Sequence, residues 1–99
     1  MIDFLKECGV EEKTIKELER KVSQSNLFDL SCNKDNCLKI IEYLRQININ
    51  NIDELLLYEF DVFTLTFSTL IKKISQFNVP LLASAINDDP FAIEEIFNV

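Results

Sequence analysis

The hexapeptide LRQINI, residues 44–49, decides how the chain is interpreted, because its pattern occurs in two further places. LKECGV at residues 5–10 and ISQFNV at residues 74–79 repeat its order of an apolar residue, a second apolar residue three positions later, Gly or Asn, and a β-branched residue. Gly and Asn tolerate the left-handed backbone conformation that commonly ends an α-helix, and the residue after them can pack back onto that helix. The pattern therefore predicts helix ends of one kind at Gly9, Asn48 and Asn78.

Apolar residues at helical spacing surround these turns. The stripe of Ile15, Leu18 and Val22 is narrow, whereas residues 37–47 are apolar over an arc wide enough to pack on two sides. Further stripes occupy residues 52–57, 70–77, 81–86 and 93–97. Pro80 and Pro90 suit the first turn of a helix, and Asp89 suits the N-cap position before Pro90. We predict an all-α fold of six or seven short helices.

A second register supports a repeat. FDLS at residues 28–31 matches FTLT at residues 63–66, and both resemble FAIE at residues 91–94. Patterns that recur every 20–50 residues indicate stacked units that bury their apolar faces against one another. We predict one helical domain over residues 1–99, built as three irregular stacked helix-hairpin repeats at roughly 2–39, 40–72 and 73–99. The stack would form a short α-solenoid or a compact helical bundle.

A β interpretation is also open. Polar and apolar residues alternate at residues 47–50 and again at 63–67, so these segments could pair as a hairpin. The flanking helical patterns would leave that hairpin as an isolated two-stranded ribbon, which has marginal stability in water.

The two registers resemble the helical repeats of mitochondrial transcription termination factor-like proteins. In that family a helix ends in a short Gly-aliphatic turn, and residues 8–10, 47–49 and 77–79 correspond to it here. A short segment with Pro precedes the next helix in the family, and residues 27–28, 62–63 and 90–91 correspond to that segment. The resemblance implies stacked helix hairpins. Members of that family bind nucleic acid with a basic concave surface that is built from many more repeats. This chain is acidic and has fewer repeats, so we assign it no functional residue from the resemblance.

Composition argues against most catalytic chemistry. The chain has no histidine and one glycine, which removes Ser/His/Asp and Cys/His arrangements and Gly-rich phosphate loops. The acidic pairs at residues 53–54, 88–89 and 94–95 are typical of helix ends and solvated faces. Cys8, Cys32 and Cys37 are interpreted as free thiols that act as small core hydrophobes. We expect no enzymatic activity, no cofactor, no metal and no small-molecule substrate.

The stretch from Tyr58 to Phe67 favours a protein-binding surface. It holds four aromatic residues and two acids, Glu59 and Asp61, without a basic residue. Aromatic rings that face water beside such acids would form an apolar patch with an acidic rim, which is typical of protein interfaces. The last turn of the chain ends apolar without a polar cap, so it joins the candidate set: Tyr58, Phe60, Phe63, Phe67, Ile96 and Phe97. We predict a non-catalytic adaptor or regulatory domain that binds a basic or mixed protein partner, or a homodimer formed through residues 90–99.

Two other functions remain open. Nucleic-acid binding would require basic side chains to gather on one concave face; the candidates are Lys13, Lys16, Arg20, Lys34, Lys39, Arg45, Lys72 and Lys73. Seventeen acidic against ten basic residues give a net charge of −7, and residues 80–99 alone carry −4. A small acidic phage- or plasmid-borne inhibitor, whose carboxylates imitate a phosphate backbone, is therefore the second alternative.

The ends and the hydropathy of the chain bear on where it acts. Met1-Ile2-Asp3 lacks the basic start and long apolar run of a signal peptide, and no stretch approaches the ~20 apolar residues of a membrane span. We expect a cytoplasmic protein that does not insert into membranes.

Overall fold

A computed structural model describes all of residues 1–99, which form helices and no β-strand. The seven α-helices are α1 (Phe4–Glu7), α2 (Glu12–Lys21), α3 (Gln24–Cys32), α4 (Lys34–Gln46), α5 (Ile52–Tyr58), α6 (Phe67–Ile74) and α7 (Val79–Asp88). A first 3₁₀ segment (Phe60–Thr64) lies between α5 and α6, and a C-terminal 3₁₀ segment (Pro90–Asn98) follows α7. The all-α prediction is confirmed, and the hairpin alternative for residues 47–50 and 63–67 is wrong.

One contiguous apolar core holds the helices together, with 24 buried residues in a single cluster. The wide apolar arc expected within residues 37–47 is realised in α4, which buries Cys37, Ile40, Ile41 and Leu44. α4 packs against α6 and the first 3₁₀ segment, α2 packs against α5, and α7 packs against the C-terminal 3₁₀ segment. No helix combines the length and the apolar character that crossing a bilayer requires.

Two of the three predicted helix-end turns have the expected geometry. Gly9 has φ 86° and Asn48 has φ 71°, which places both in the left-handed region. After Gly9, the Val10 N–H donates to the carbonyl of Leu5 at 3.1 Å, and the residue after Asn48 makes the equivalent bond at 2.9 Å. This bond back to the helix is the Schellman closure, and it buries the β-branched residue that follows each turn.

The third predicted turn, at Asn78, does not have this geometry. Its φ is −71° and its side chain accepts a hydrogen bond from the Leu81 N–H at 3.2 Å, so Asn78 begins α7 as an N-cap. Pro80 accounts for the difference, because it lies in the first turn of α7, where proline favours the start of a helix and its missing N–H is not needed. Val79 is consequently only half-buried. The left-handed turn occurs at two positions, Gly9 and Asn48, and the prediction of a third at Asn78 is wrong.

A carboxylate from one helix closes the start of another. The Oδ2 atom of Asp53, in the first turn of α5, accepts bonds from the Glu11 N–H at 2.9 Å and the Thr14 hydroxyl at 2.7 Å. Glu11 occupies the N-cap position of α2 but makes no cap bond with its own side chain. Asp53 therefore supplies the cap across 42 residues of sequence, a role that its position in a helix-start acidic pair did not indicate.

Two asparagines brace loops in a similar manner. Asn36 in α4 accepts from the Phe67 N–H and donates to the Leu65 carbonyl, both at 2.8 Å, which anchors the start of α6. Asn87 in α7 accepts from the Asn50 N–H at 2.9 Å and donates to the Asn48 carbonyl at 2.7 Å. Side chains thus fix the segments that lead into α5 and α6.

Candidate functional site

An open groove lies where the end of α5 and the first 3₁₀ segment meet the C-terminal 3₁₀ segment. Its volume is about 790 Å³. We call it the acidic aromatic groove, because its lining contains four aromatic residues, Tyr58, Phe60, Phe91 and Phe97, and four acidic residues, Glu59, Asp61, Glu94 and Glu95. No basic residue lines it.

The helical geometry of the C-terminal segment builds one wall of the groove. A 3₁₀-helix has three residues per turn, so residues three apart share one face. Ile93 and Ile96 face the core and are fully buried. Phe91, Glu94 and Phe97 fall on a second face and line the groove. The segment begins at an N-cap formed by the preceding Asp, which accepts a bond from the Phe91 N–H at 3.0 Å as predicted.

The opposite wall forms where α5 stops. Glu59 has φ −134° and ψ 48°, outside the helical region, which ends the α-helix after Tyr58, while its N–H still donates to the Leu55 carbonyl at 2.7 Å. The chain then enters the first 3₁₀ segment at Phe60. This break brings an acid and two aromatic residues to the groove within three consecutive positions.

Exposed aromatic rings face one another across the groove. Tyr58 and Phe91 are each 52% exposed and their ring centroids are 5.7 Å apart at an interplanar angle of 52°. Phe97 is 40% exposed. The ammonium group of Lys21 lies 4.7 Å from the centroid of the Tyr58 ring and donates to the Leu57 carbonyl at 3.1 Å. Tyr58 therefore already accommodates one cation, and that lysine forms no ion pair with the groove acids.

Glu59 differs from the other acids of the groove, because it is only 8% exposed whereas the others are exposed. Its Oε1 atom is buried and has no hydrogen-bond partner. Burial, which has the largest effect, and the neighbouring carboxyls of Glu94 and Asp61 together raise the pKa of Glu59 from 4.5 to about 7. The groove thus contains a carboxyl that holds its proton up to near-neutral pH and has an unused acceptor.

The structure brings together only part of the predicted binding set. Tyr58, Phe60 and Phe97 lie in the groove. Phe63 and Ile96 are 1% and 0% exposed, so their predicted place in an exposed patch is wrong: the tight 3₁₀ turns direct both side chains into the core. Phe67 begins α6 and packs edge-to-face on Tyr43, with centroids 6.0 Å apart, away from the groove.

Phe91 and Glu94 were missed as site residues. The apolar spacing of residues 93–97 predicts a helical stripe, and the acidic pair that contains Glu94 is typical of a solvated face. A spacing of three between Phe91, Glu94 and Phe97, directly after an Asp-Pro pair, was the available signal. It indicates the groove only if the segment is known to be 3₁₀.

The basic side chains predicted for nucleic-acid binding lie on three helices, α2, α4 and α6. Lys13, Lys16 and Arg20 are exposed along α2, and Lys72 and Lys73 occur in the last turn of α6. Lys13 and Arg20 pair with nearby glutamates at 3.3 and 2.7 Å. Lys73 donates to the carbonyl of the last residue at 2.6 Å. Of the remaining basic residues, Lys34 lies 5.9 Å from the Phe4 ring centroid, and Lys39 and Arg45 are on α4.

The cysteines divide by environment. Cys37 is fully buried, as expected of a core thiol, and burial raises its pKa to about 12. Cys8 is half-buried, whereas Cys32 is exposed, so the core interpretation is wrong for Cys32. No group of three or more Cys, Asp or Glu side chains is placed to hold a metal ion.

Comparisons of the chain with known proteins gave no match. No protein-family model matches the chain, and no significant match was found among curated proteins or solved structures.

Proposed function

We propose that this chain is a non-catalytic protein-binding domain that docks its partner in the acidic aromatic groove. The observation that carries the proposal is the pair Tyr58 and Phe91, two aromatic rings that remain about half exposed and face one another beside four carboxyl groups. Aromatic rings anchor protein interfaces because they bury much apolar area with little loss of conformational entropy.

Charge specifies the chemistry of the partner. The groove is lined by acids without a basic side chain, and the chain carries a net charge of −7. A basic segment with apolar residues complements this surface and would be attracted to it over a distance set by ionic strength. A second copy of the chain is a poorer partner for the groove, because it would bring another acidic C-terminal segment against the first.

Affinity capture from native lysate, combined with matched variants, tests the proposal. Phe91→Ala removes a groove ring, whereas Phe28→Ala removes a ring that is 58% exposed on α3. We expect one protein to be retained by the wild type and by Phe28→Ala after nuclease treatment, to be lost with Phe91→Ala, and to elute as salt is raised. Crosslinking should place that protein on the groove.

Two results would overturn the proposal. Equal capture by Phe91→Ala and the wild type would move the interface elsewhere. Loss of all captured protein after nuclease treatment would favour the nucleic-acid alternative. Size-exclusion chromatography over a range of concentrations accompanies the capture, because concentration-dependent dimerisation that Phe91→Ala abolishes would assign the groove to a second copy.

A further inference from the structure

Within the proposed binding function, on which this inference rests, we propose that the groove receives an arginine side chain of the partner. The guanidinium group would pair with the carboxyls of Glu59 and Glu94 and stack on the ring of Phe91 or Tyr58. The inference rests on a buried acceptor without a donor, on adjacent carboxyls and on exposed rings that line the same space.

Glu59 supplies the argument for a ligand. The residue is only 8% exposed, it lines the groove, and its Oε1 atom is buried without a hydrogen-bond partner. A buried carboxyl oxygen without a donor is unfavourable in the free protein, and a ligand that brings a donor relieves that cost. Lys21 does not supply the donor, since its ammonium group is directed at the Leu57 carbonyl.

The combination of groups selects arginine among cations. A guanidinium group presents five N–H donors in a plane, matches carboxylates in a bidentate manner and stacks on aromatic faces. Glu59, Glu94 and Phe91 line the same groove, and the Glu94 carboxyl is near enough to raise the pKa of Glu59. A metal ion does not fit, because no three ligating side chains converge. A lysine ammonium would gain the charge interaction and lose most of the planar stacking.

Arginine binding should release a proton from the groove. Glu59 faces the carboxyls of Glu94 and Asp61, which with burial keep it protonated toward pH 7 in the free protein. The carboxylate pairs with a guanidinium group only in its ionised form, so the Glu59 proton passes to solvent on binding. Affinity therefore rises with pH from about pH 5 to pH 8.

Titration of the ¹⁵N-labelled protein by NMR tests the inference with three probes. N-acetyl-arginine amide is expected to shift the backbone signals of residues 59, 91 and 94 in a saturable way, with tighter binding at pH 8 than at pH 5.5. N-acetyl-citrulline amide has nearly the same shape without the charge and should produce no such shifts. N-acetyl-lysine amide should bind more weakly than the arginine derivative.

Two variants connect the signal to the site. Glu59→Gln should weaken binding of the arginine derivative by about tenfold, since it removes a charge-assisted pair, and should abolish its pH dependence. Glu54→Gln changes an exposed acid of α5 outside the groove and should leave binding unchanged. Glu94→Gln gives a second, independent test of the paired carboxyls.

The outcomes separate this inference from the proposed function. Equal shifts with citrulline, or unchanged binding in Glu59→Gln, would overturn the arginine site while protein capture that depends on Phe91 still supports the docking proposal. Equal or tighter binding of the lysine derivative would replace arginine by lysine and contradict the inference. Loss of both arginine binding and Phe91-dependent capture would remove the docking proposal as well.

Discussion

Glu59→Gln is expected to stabilise the protein at and above neutral pH. Below pH 4.5 the Glu59 carboxyl is protonated in the folded and in the unfolded chain, so it contributes no pH dependence. As pH rises from 4.5 to about 7, the unfolded chain releases this proton while the folded chain retains it, and the free energy of unfolding falls. Above pH 7 the loss is complete. Gln has nearly the same shape and no proton to lose, so it removes this decline.

The size of the effect follows from the pKa. At about 1.36 kcal/mol per pH unit, the rise from 4.5 to about 7 sets an upper limit of about 3 kcal/mol. The groove opens to water, and solvent screening reduces the penalty. We expect the free energy of unfolding of Glu59→Gln to exceed that of the wild type by about 1–2 kcal/mol at pH 8. At pH 5 we expect a much smaller difference.

Urea denaturation at constant ionic strength between pH 5 and 8 measures this difference. Glu95→Gln is the matched control, because it removes one negative charge from an exposed position of the same groove; it should change stability by less than about 0.5 kcal/mol. A Glu59→Gln variant less stable than the wild type at pH 8 would contradict this expectation. The same difference in stability at pH 5 and at pH 8 would contradict it as well.

Three further predictions concern the fold and are checked by urea denaturation at pH 7. Asp53→Ala removes the charged acceptor that closes α2 and should cost about 2–3 kcal/mol, whereas Glu54→Ala, an exposed neighbour, should cost less than about 0.5 kcal/mol; equal losses would contradict the cap. Asn48→Gly should be neutral or stabilising because Gly readily adopts a φ of 71°. Asn78→Gly should destabilise the protein by a few tenths of a kcal/mol, because it removes the N-cap bond. A change in stability of the same sign at both positions would contradict the different roles of the two residues. Phe63→Ala should cost about 3–5 kcal/mol through a core cavity, and a loss below about 1 kcal/mol would mean that the ring is not in the core.

Local sequence was sufficient where a residue's role depends on its immediate neighbours. Gly9 and Asn48 end helices as predicted, because a left-handed residue followed by a β-branched one closes a helix on itself. Asn78 has the same neighbours on one side and Pro80 on the other, and the proline converts it into a helix start. The pattern before Asn78 predicts a helix end, whereas Pro80 favours a helix start, and the structure has the helix start.

The site was only partly predictable. Tyr58 and Phe60 were predicted from aromatic residues beside acids, and Phe97 was predicted from an apolar last turn without a polar cap; all three line the groove. Phe63 belongs to the same stretch and is buried, because the 3₁₀ turn directs it inward. Phe91 and Glu94 line the groove because the segment is a 3₁₀-helix, in which residues three apart share a face. The α-helical period of 3.6, which was applied to this stretch, does not indicate that shared face.

The sequence by itself determined that this protein is all-helical, where most of its helices lie and which faces are apolar, because periodicity and capping act over a few residues. Tertiary structure alone decided which carboxyl is buried. Glu59 is one of seventeen acids, and its neighbours Tyr58 and Phe60 indicate the rim of an apolar patch but not that this carboxyl is buried. It becomes a proton-retaining group with an unused acceptor because the fold buries its Oε1 atom and brings Glu94, which is more than 30 residues later in the chain, near it.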